Sequence, residues 1–365
     1  KQATNLRRLT ELLACVATDK KVLIVDDEAD VVSVGYGRGN TMASIAQGIN
    51  DLRAALQHHC AYLQVTATPY CLYLQPNAII MAGQGYQPLR PCSTHVLNPH
   101  PDYIGGKYYF EDSQGMVGGV PMSPAGYMFI PVSAAAMNDL NNLTSTSPVQ
   151  ELDNAILNFF VGASMLRVSD TSSHYAFLLH TQQTQNTHYK EETLCRHFVN
   201  KIKGFSNVAA LKAFIQASYD SLYPSAAMTL QSVPSIDDVT VRLFNELRLD
   251  ADNVVVVNAA NPAQLNQIDG QLLLSHPYNI FIGGQSIDRG ITINNLIGMF
   301  YGRGTNQMDT VLQHSRMYGS RTPRQLCVTR FYTTQTIYDK MADMYKFDKD
   351  LKAQLIAGKS MGFIA

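Results

Sequence analysis

A chain of 365 residues exceeds one typical domain and can bury at least two cores. With 46% apolar and 16% charged residues it is neither disordered nor highly charged, and a formal net charge of −1 gives no general field toward nucleic acid or an acidic membrane, so any DNA contact must be a local cleft. No apolar run reaches the roughly 18 residues that span a bilayer, the first residues do not read as a signal sequence, and Cys15, Cys60, Cys71, Cys92, Cys195 and Cys327 include no CxxC pair, so we expect a cytoplasmic protein with no membrane partner, zinc site or disulfide framework.

Leu6, Leu9, Leu13 and Val16 predict a helix over 5–17, followed by the continuous apolar strand 22–25. After a Gly-rich stretch at 35–40, Ile45, Ile49, Leu52 and Leu56 share a helical face, and a short strand follows at 61–65. That alternation indicates a parallel α/β sheet. From about 75 to 170 the pattern is irregular and rich in Pro, Gly, Tyr and Asn, with short strands expected at 108–110 and 127–132, which suggests an inserted module. A strand at 174–179, a helix from about 189 to 203, a polar connection, and strands at 254–257 and 279–282 predict a second α/β domain. Further strands are expected within 291–301 and 325–331, then a helix over 334–357 carrying Ile337, Met341, Met344, Leu351 and Leu355. No repeat and no low-complexity tract interrupts this order.

The first strand runs into Asp26-Asp27-Glu28-Ala29-Asp30. An apolar strand ending abruptly in acids is one way nucleotide-hydrolysing folds present one carboxylate to Mg²⁺ and another to the attacking water, because the strand's carboxyl end opens onto the ligand crevice. Asp27 is then the Mg²⁺ ligand and Glu28 the water-polarising base; the plainer alternative is a strand meeting a polar turn. Thr66-Ala67-Thr68-Pro69 ends the next strand, where small hydroxyl residues can bond neighbouring carboxylates and couple nucleotide state to the rest of the protein. Its plainer alternative is a turn before proline.

Together, Asp27-Glu28-Ala29-Asp30 resembles motif II and Thr66-Ala67-Thr68 resembles motif III of superfamily 2 helicases. With Ile49-Asn50-Asp51-Leu52-Arg53, Tyr103-Ile104-Gly105-Gly106 and Leu178-Leu179-His180-Thr181, the chain is similar to bacterial helicase-like proteins that carry a Z-one domain and often bear an endonuclease name. The stretch from Gly283-Gly284-Gln285-Ser286-Ile287-Asp288-Arg289-Gly290 to Thr292 resembles that family's motif V, and 308–321 its motif VI. The resemblance implies two RecA-like (P-loop NTPase) domains, the first incomplete at its N-terminus, with a family-specific insert and a helical C-terminus. Their bounds are 1–95, 96–170 (insert), 171–333 and 334–365. It further implies binding of ATP and Mg²⁺, Arg316 and Arg321 as arginines reaching the γ-phosphate, and Gly284, Asp288, Arg289 and Gly290 as nucleotide contacts. Thr66, Ala67 and Thr68 become coupling residues. Ser315 stands where the family usually has glycine, and Val31 where glutamine is common.

A phosphate loop of the form Gly, any four residues, Gly-Lys, then Ser or Thr is missing from these 365 residues. We expect it upstream in a longer parent, with this chain binding ATP weakly or not at all alone. His188-Tyr189-Lys190 matches a phosphodiesterase box only superficially and is expected on a helix's N-terminal surface; cutting of DNA would then belong to a partner nuclease or another defence protein. The aromatic stretch 103–110 is expected to be core. The resemblance thus predicts an ATP-dependent DNA translocase or helicase component of a bacterial restriction or antiviral system. The alternative is a degenerate helicase-fold scaffold that binds DNA or partners without turnover.

Overall fold

The computed structural model describes residues 2–16, 21–32, 44–56, 59–73, 79–81, 84–86, 91–141, 148–181, 185–257, 267–268, 271–283, 292–303 and 317–357. They divide into two compact units, Lys1–Asn98 with Phe347–Ala365, and Pro99–Lys346.

In the first unit, α1 (Ala3–Val16) and α2 (Ser44–Leu56) cover one face of a parallel pair, β1 (Val22–Asp27) and β2 (Cys60–Val65). Even-numbered β1 residues Val22 and Ile24, with Cys60, pack against Leu52, Leu56, Leu6 and Leu13. The helices approach closely because α2 has glycine at the crossing: a Cβ at Gly48 would lie 3.2 Å from the Cβ of Leu6. Leu23, Val25, Leu63 and Val65 alternate onto the opposite, exposed face.

The second unit is built on six parallel strands. In chain order its elements are α3 (Gly106–Phe110), β3 (Phe129–Pro131), α4 (Gln150–Arg167), β4 (Tyr175–His180), α5 (Gln185–Lys203), α6 (Val208–Ala227), α7 (Ile236–Arg248), β5 (Asp252–Val257), β6 (Tyr278–Gly283), β7 (Leu296–Tyr301), β8 (Arg330–Thr333) and, up to Lys346, α8 (Gln335–Ile356). The strand order is β5-β6-β4-β7-β8-β3. Every residue of β4, β6, β7 and β8 is buried, as expected of a parallel sheet covered on both faces. Phe177 and Leu179 of β4 face a core shared with α4, α5, α6 and α7. Ala176 and Leu178 face the other core, with Tyr109 and Phe110 of α3 and Tyr338 and Met341 of α8. Among the described residues no helix is long and apolar enough to cross a membrane.

Several elements differ from the sequence expectation. Residues 108–110 form a helical turn, not a strand: adjacent Tyr109 and Phe110 enter the same core, which strand alternation forbids and a helix allows. The polar connection after Lys203 is two helices, α6 and α7. Val239, Leu243 and Leu247 form the core stripe of α7, while Ser235 caps it by accepting from the Asp238 backbone N–H at 3.1 Å. The 325–331 stretch opens with a helical turn, Pro323–Leu326, closed by a Thr322/Gln325 capping box, before β8. β3 and α4, both from the irregular 96–170 stretch, share the sheet and core of the elements that follow.

One buried ion pair ties α4 to α7. Arg167 donates from Nε to Glu246 Oε2 at 3.0 Å and from Nη2 to Oε1 at 2.9 Å, while the Tyr278 hydroxyl donates to Oε2 at 2.6 Å. Burial pushes the Glu246 carboxyl up, but hydrogen bonds from Arg167 and Tyr278 and the guanidinium charge outweigh it and hold it below its usual range. Truncation of one partner strands the other, so Arg167→Ala should cost about 3–5 kcal/mol in urea unfolding. Because the folded-state value is depressed, the stabilisation is present above the ordinary glutamate range and lost as pH falls through the depressed value. The gap between wild type and Arg167→Ala should therefore narrow on acidification.

Candidate functional site at the strand ends

In the first unit the parallel register sets Asp27 opposite Val65, so the acidic run leaves one strand beside the point where Thr66-Ala67-Thr68 leaves its neighbour. The four acids divide into a buried pair, Asp26 and Asp30, and an exposed pair between them. Asp26 is buried and accepts from the Tyr62 hydroxyl; the Arg53 guanidinium stands over the Tyr62 ring, 5.5 Å from its centroid. Burial, and then the bond to and charge of Asp26, push the Tyr62 hydroxyl's pKa up, so it remains a donor. Asp30 is buried and accepts from Thr68 Oγ1 at 2.5 Å, while the Thr68 N–H donates to Thr66 Oγ1 at 3.0 Å. Asp27 and Glu28 are exposed.

Glu28 carries a further signature. Its backbone lies in the left-handed region, φ 52°, and its N–H donates to Asp27 Oδ1 at 3.0 Å. That conformation costs a non-glycine residue roughly 1–2 kcal/mol. Hydroxyl-held Asp26 and Asp30 thus fix the turn, and Asp27 and Glu28 are the carboxylates it presents. Among the described residues no group of three or more His, Cys, Asp or Glu could by itself hold a metal. A single presented carboxylate suits Mg²⁺, which keeps waters and substrate phosphate oxygens as its other ligands.

The second unit has its own crevice geometry. β4 and β7 are neighbours, yet the chain leaves β4 toward β5 and β6 and leaves β7 toward β8, which makes their carboxyl ends the topological switch point where open α/β sheets bind ligands. The His180 ring stacks on Tyr301, centroids 5.5 Å apart and planes 6° from parallel. Arg303 Nη1 lies 3.3 Å from His180 Nε2, and the Gly302 N–H donates to the His180 carbonyl at 3.0 Å. The Thr181 hydroxyl donates to Glu191 Oε1 in the second turn of α5. Burial pushes the Glu191 carboxyl up to about 8, against the opposing effect of the Thr181 bond.

Of the residues singled out by sequence, Asp27, Glu28, Thr66, Ala67 and Thr68 gather at one pair of strand ends. Gly284, Asp288, Arg289, Gly290 and Arg316 lie outside the described residues. Arg321 is buried with its Nε donating to the Leu296 carbonyl at 2.8 Å, and Leu296 opens β7, at the opposite end of the sheet from His180 and Arg303. His188, expected on a helix surface, is buried instead, because α5 begins at Gln185 and turns His188 and Glu191 onto the face that carries Cys195, Phe198 and Ile202. That spacing also exposes what sequence reasoning missed: Glu191 continues an apolar helical stripe, a signal for a buried acid.

A family model described as the Z1 domain matches residues 151–362, more than half of the chain, and the chain belongs to that family. No curated protein matches it significantly, and neither does any solved structure.

Two measurements test this geometry. Glu28→Gly relieves the left-handed backbone, so thermal or urea unfolding should show the variant at least as stable as wild type, by up to about 1 kcal/mol, whereas Glu28→Val should be destabilised. For Glu191 the folded value is raised, so its neutral form favours the native state and stability declines as pH climbs from 4.5 toward about 8. Unfolding of Glu191→Gln should lack that decline.

Proposed function

We propose that this Z1-domain protein is the motor part of an ATP-dependent DNA translocase or helicase of a bacterial restriction or antiviral system. In this reading it is an ATPase of two RecA-like domains, the first carrying motifs II and III and the second motifs IV to VI. The reading requires a phosphate loop, which is not among these 365 residues. The observation that carries the proposal is the buried Thr68–Asp30 bond, which joins the two sequence motifs across 38 residues at adjacent strand ends while Asp27 and Glu28 stay exposed.

Asp27 would hold Mg²⁺, which when bound neutralises charge on the phosphoryl oxygens. Glu28 orients the attacking water and holds its proton. Asp26 and Asp30 are positioning residues, since each is held by a hydroxyl. A change of charge beside Asp27 acts on the adjacent Asp30–Thr68 bond, and so on the segment after β2; this is how Thr66, Ala67 and Thr68 couple nucleotide state to movement. Gly284, Asp288, Arg289 and Gly290 contact nucleotide, and Arg316 reaches the γ-phosphate. Arg321, committed to the Leu296 carbonyl, holds the segment that follows Arg316 in place. With a net charge of −1, DNA is gripped by a local cleft and not by a general basic surface.

In the full-length protein, Asp27→Ala and Glu28→Gln should each lower DNA-stimulated ATP hydrolysis by at least about 100-fold with the circular dichroism spectrum unchanged. Undiminished hydrolysis in both variants would falsify the proposal.

A further inference from the structure

Asp26 and Asp27 are the same residue at consecutive positions of β1, so nothing in their own chemistry says which of them faces inward. Successive strand residues point to opposite faces, and a slip of one residue exchanges every inward side chain for its outward neighbour. The rest of the strand gives no preference either, because Val22, Leu23, Ile24 and Val25 are all apolar and suit both faces. Yet the choice is made: Asp26 is 5% exposed on the face that α1 and α2 cover, and Asp27 is exposed on the open face with Leu23 and Val25.

The covered face carries what distinguishes them. Tyr62 follows Cys60 onto that face, its Cα pairs with that of Ile24, and its hydroxyl donates to Asp26 Oδ2. On the open face β2 presents Ala61, Leu63 and Val65, whose side chains have no donor for a carboxylate. Tyr62 is in turn steadied from α2, where the Arg53 guanidinium stands over its ring, 5.5 Å from the centroid. Arg53 closes the run Ile49-Asn50-Asp51-Leu52-Arg53; Ile49 and Leu52 are buried and Asp51 accepts from Gln47 at 2.7 Å on the exposed side, so Arg53 connects that run to the acidic strand end.

We propose that Tyr62 and Arg53 are positioning residues of the acidic turn: the Tyr62 hydroxyl, with its ring held by Arg53, fixes the register of β1 so that Asp26 is kept inside and Asp27 is the carboxylate presented. Burying a carboxylate without a donor is costly, so the hydroxyl decides which aspartate the covered face accepts. With phenylalanine at 62 that face no longer tells the two apart, and β1 populates both registers. Asparagine at 26 restores the distinction by another route, because a neutral amide is cheaper to bury than the Asp27 carboxylate. The register is a property of the fold alone; that Asp27 then holds Mg²⁺ rests on the proposed function.

The test uses the full-length protein and two readouts. Carbodiimide coupling of glycine ethyl ester to accessible carboxylates, located by fragment-ion mass spectrometry, should modify Asp27 and leave Asp26 protected in the wild type. In Tyr62→Phe the modification of Asp26 should rise several-fold, and Arg53→Met, which keeps the hydroxyl, should shift it the same way by less. Mn²⁺ binding in the presence of ADP, followed by electron paramagnetic resonance, should weaken about tenfold in Tyr62→Phe and return toward the wild-type value in the Tyr62→Phe/Asp26→Asn double variant, a rescue that a mere packing defect does not give. Asp26 as protected in Tyr62→Phe as in the wild type would overturn the proposal, and so would a loss of Mn²⁺ affinity that Asp26→Asn leaves unrepaired. Mn²⁺ binding unchanged by Asp27→Ala would instead sink the metal reading of the proposed function, and the labelling then decides the register by itself.

Discussion

A sheet of parallel strands must be covered on both faces, and in Pro99–Lys346 this requirement decides where chemistry can occur. β4 lies inside the sheet, with alternate side chains committed to two cores, and β6, β7 and β8 are buried along their whole lengths. Polar and charged groups are therefore displaced to the strand ends, where hydrogen-bond partners hold them. His180, Thr181 and Arg303 stand at the carboxyl end, and Arg321 and Arg330 at the amino end. The same displacement operates in the first unit, where the apolar run of β1 stops and four acids follow within five residues.

Those acids divide by desolvation. A buried carboxylate needs a hydrogen bond, and a bond to a charged group is worth roughly 1.5–3 kcal/mol; Asp26 and Asp30 each have a hydroxyl donor from the neighbouring strand or the turn after it. Asp27 and Glu28 remain hydrated and close to each other through the Glu28 N–H. A turn in which two acids hold the frame and two are presented is preorganised, and the left-handed backbone at Glu28 is what that arrangement costs.

The first unit was largely legible in the sequence because its determinants are local. Val22 to Val25 is an uninterrupted apolar run, Ile49, Leu52 and Leu56 keep a helical stripe, and the acids and threonines follow their strands directly. α4 was not legible, because nearly every residue from Leu152 to Leu166 is buried and a helix covered on all sides has no amphipathic contrast. α6 and α7 were hidden behind their polar outer faces, although Val239, Leu243 and Leu247 carried the signal. Arg321 shows a different limit. A motif can identify an arginine, but which end of a sheet its segment returns to depends on contacts such as that with Leu296, 25 residues away, which no local pattern encodes.

The most direct test of the account is the steady-state rate of ATP hydrolysis by the unmodified full-length protein, with and without duplex or single-stranded DNA, in the presence of Mg²⁺. A motor with this acidic turn should hydrolyse ATP and do so faster when DNA is added. No hydrolysis under either condition, with nucleotide and DNA binding intact, would contradict it and leave a scaffold.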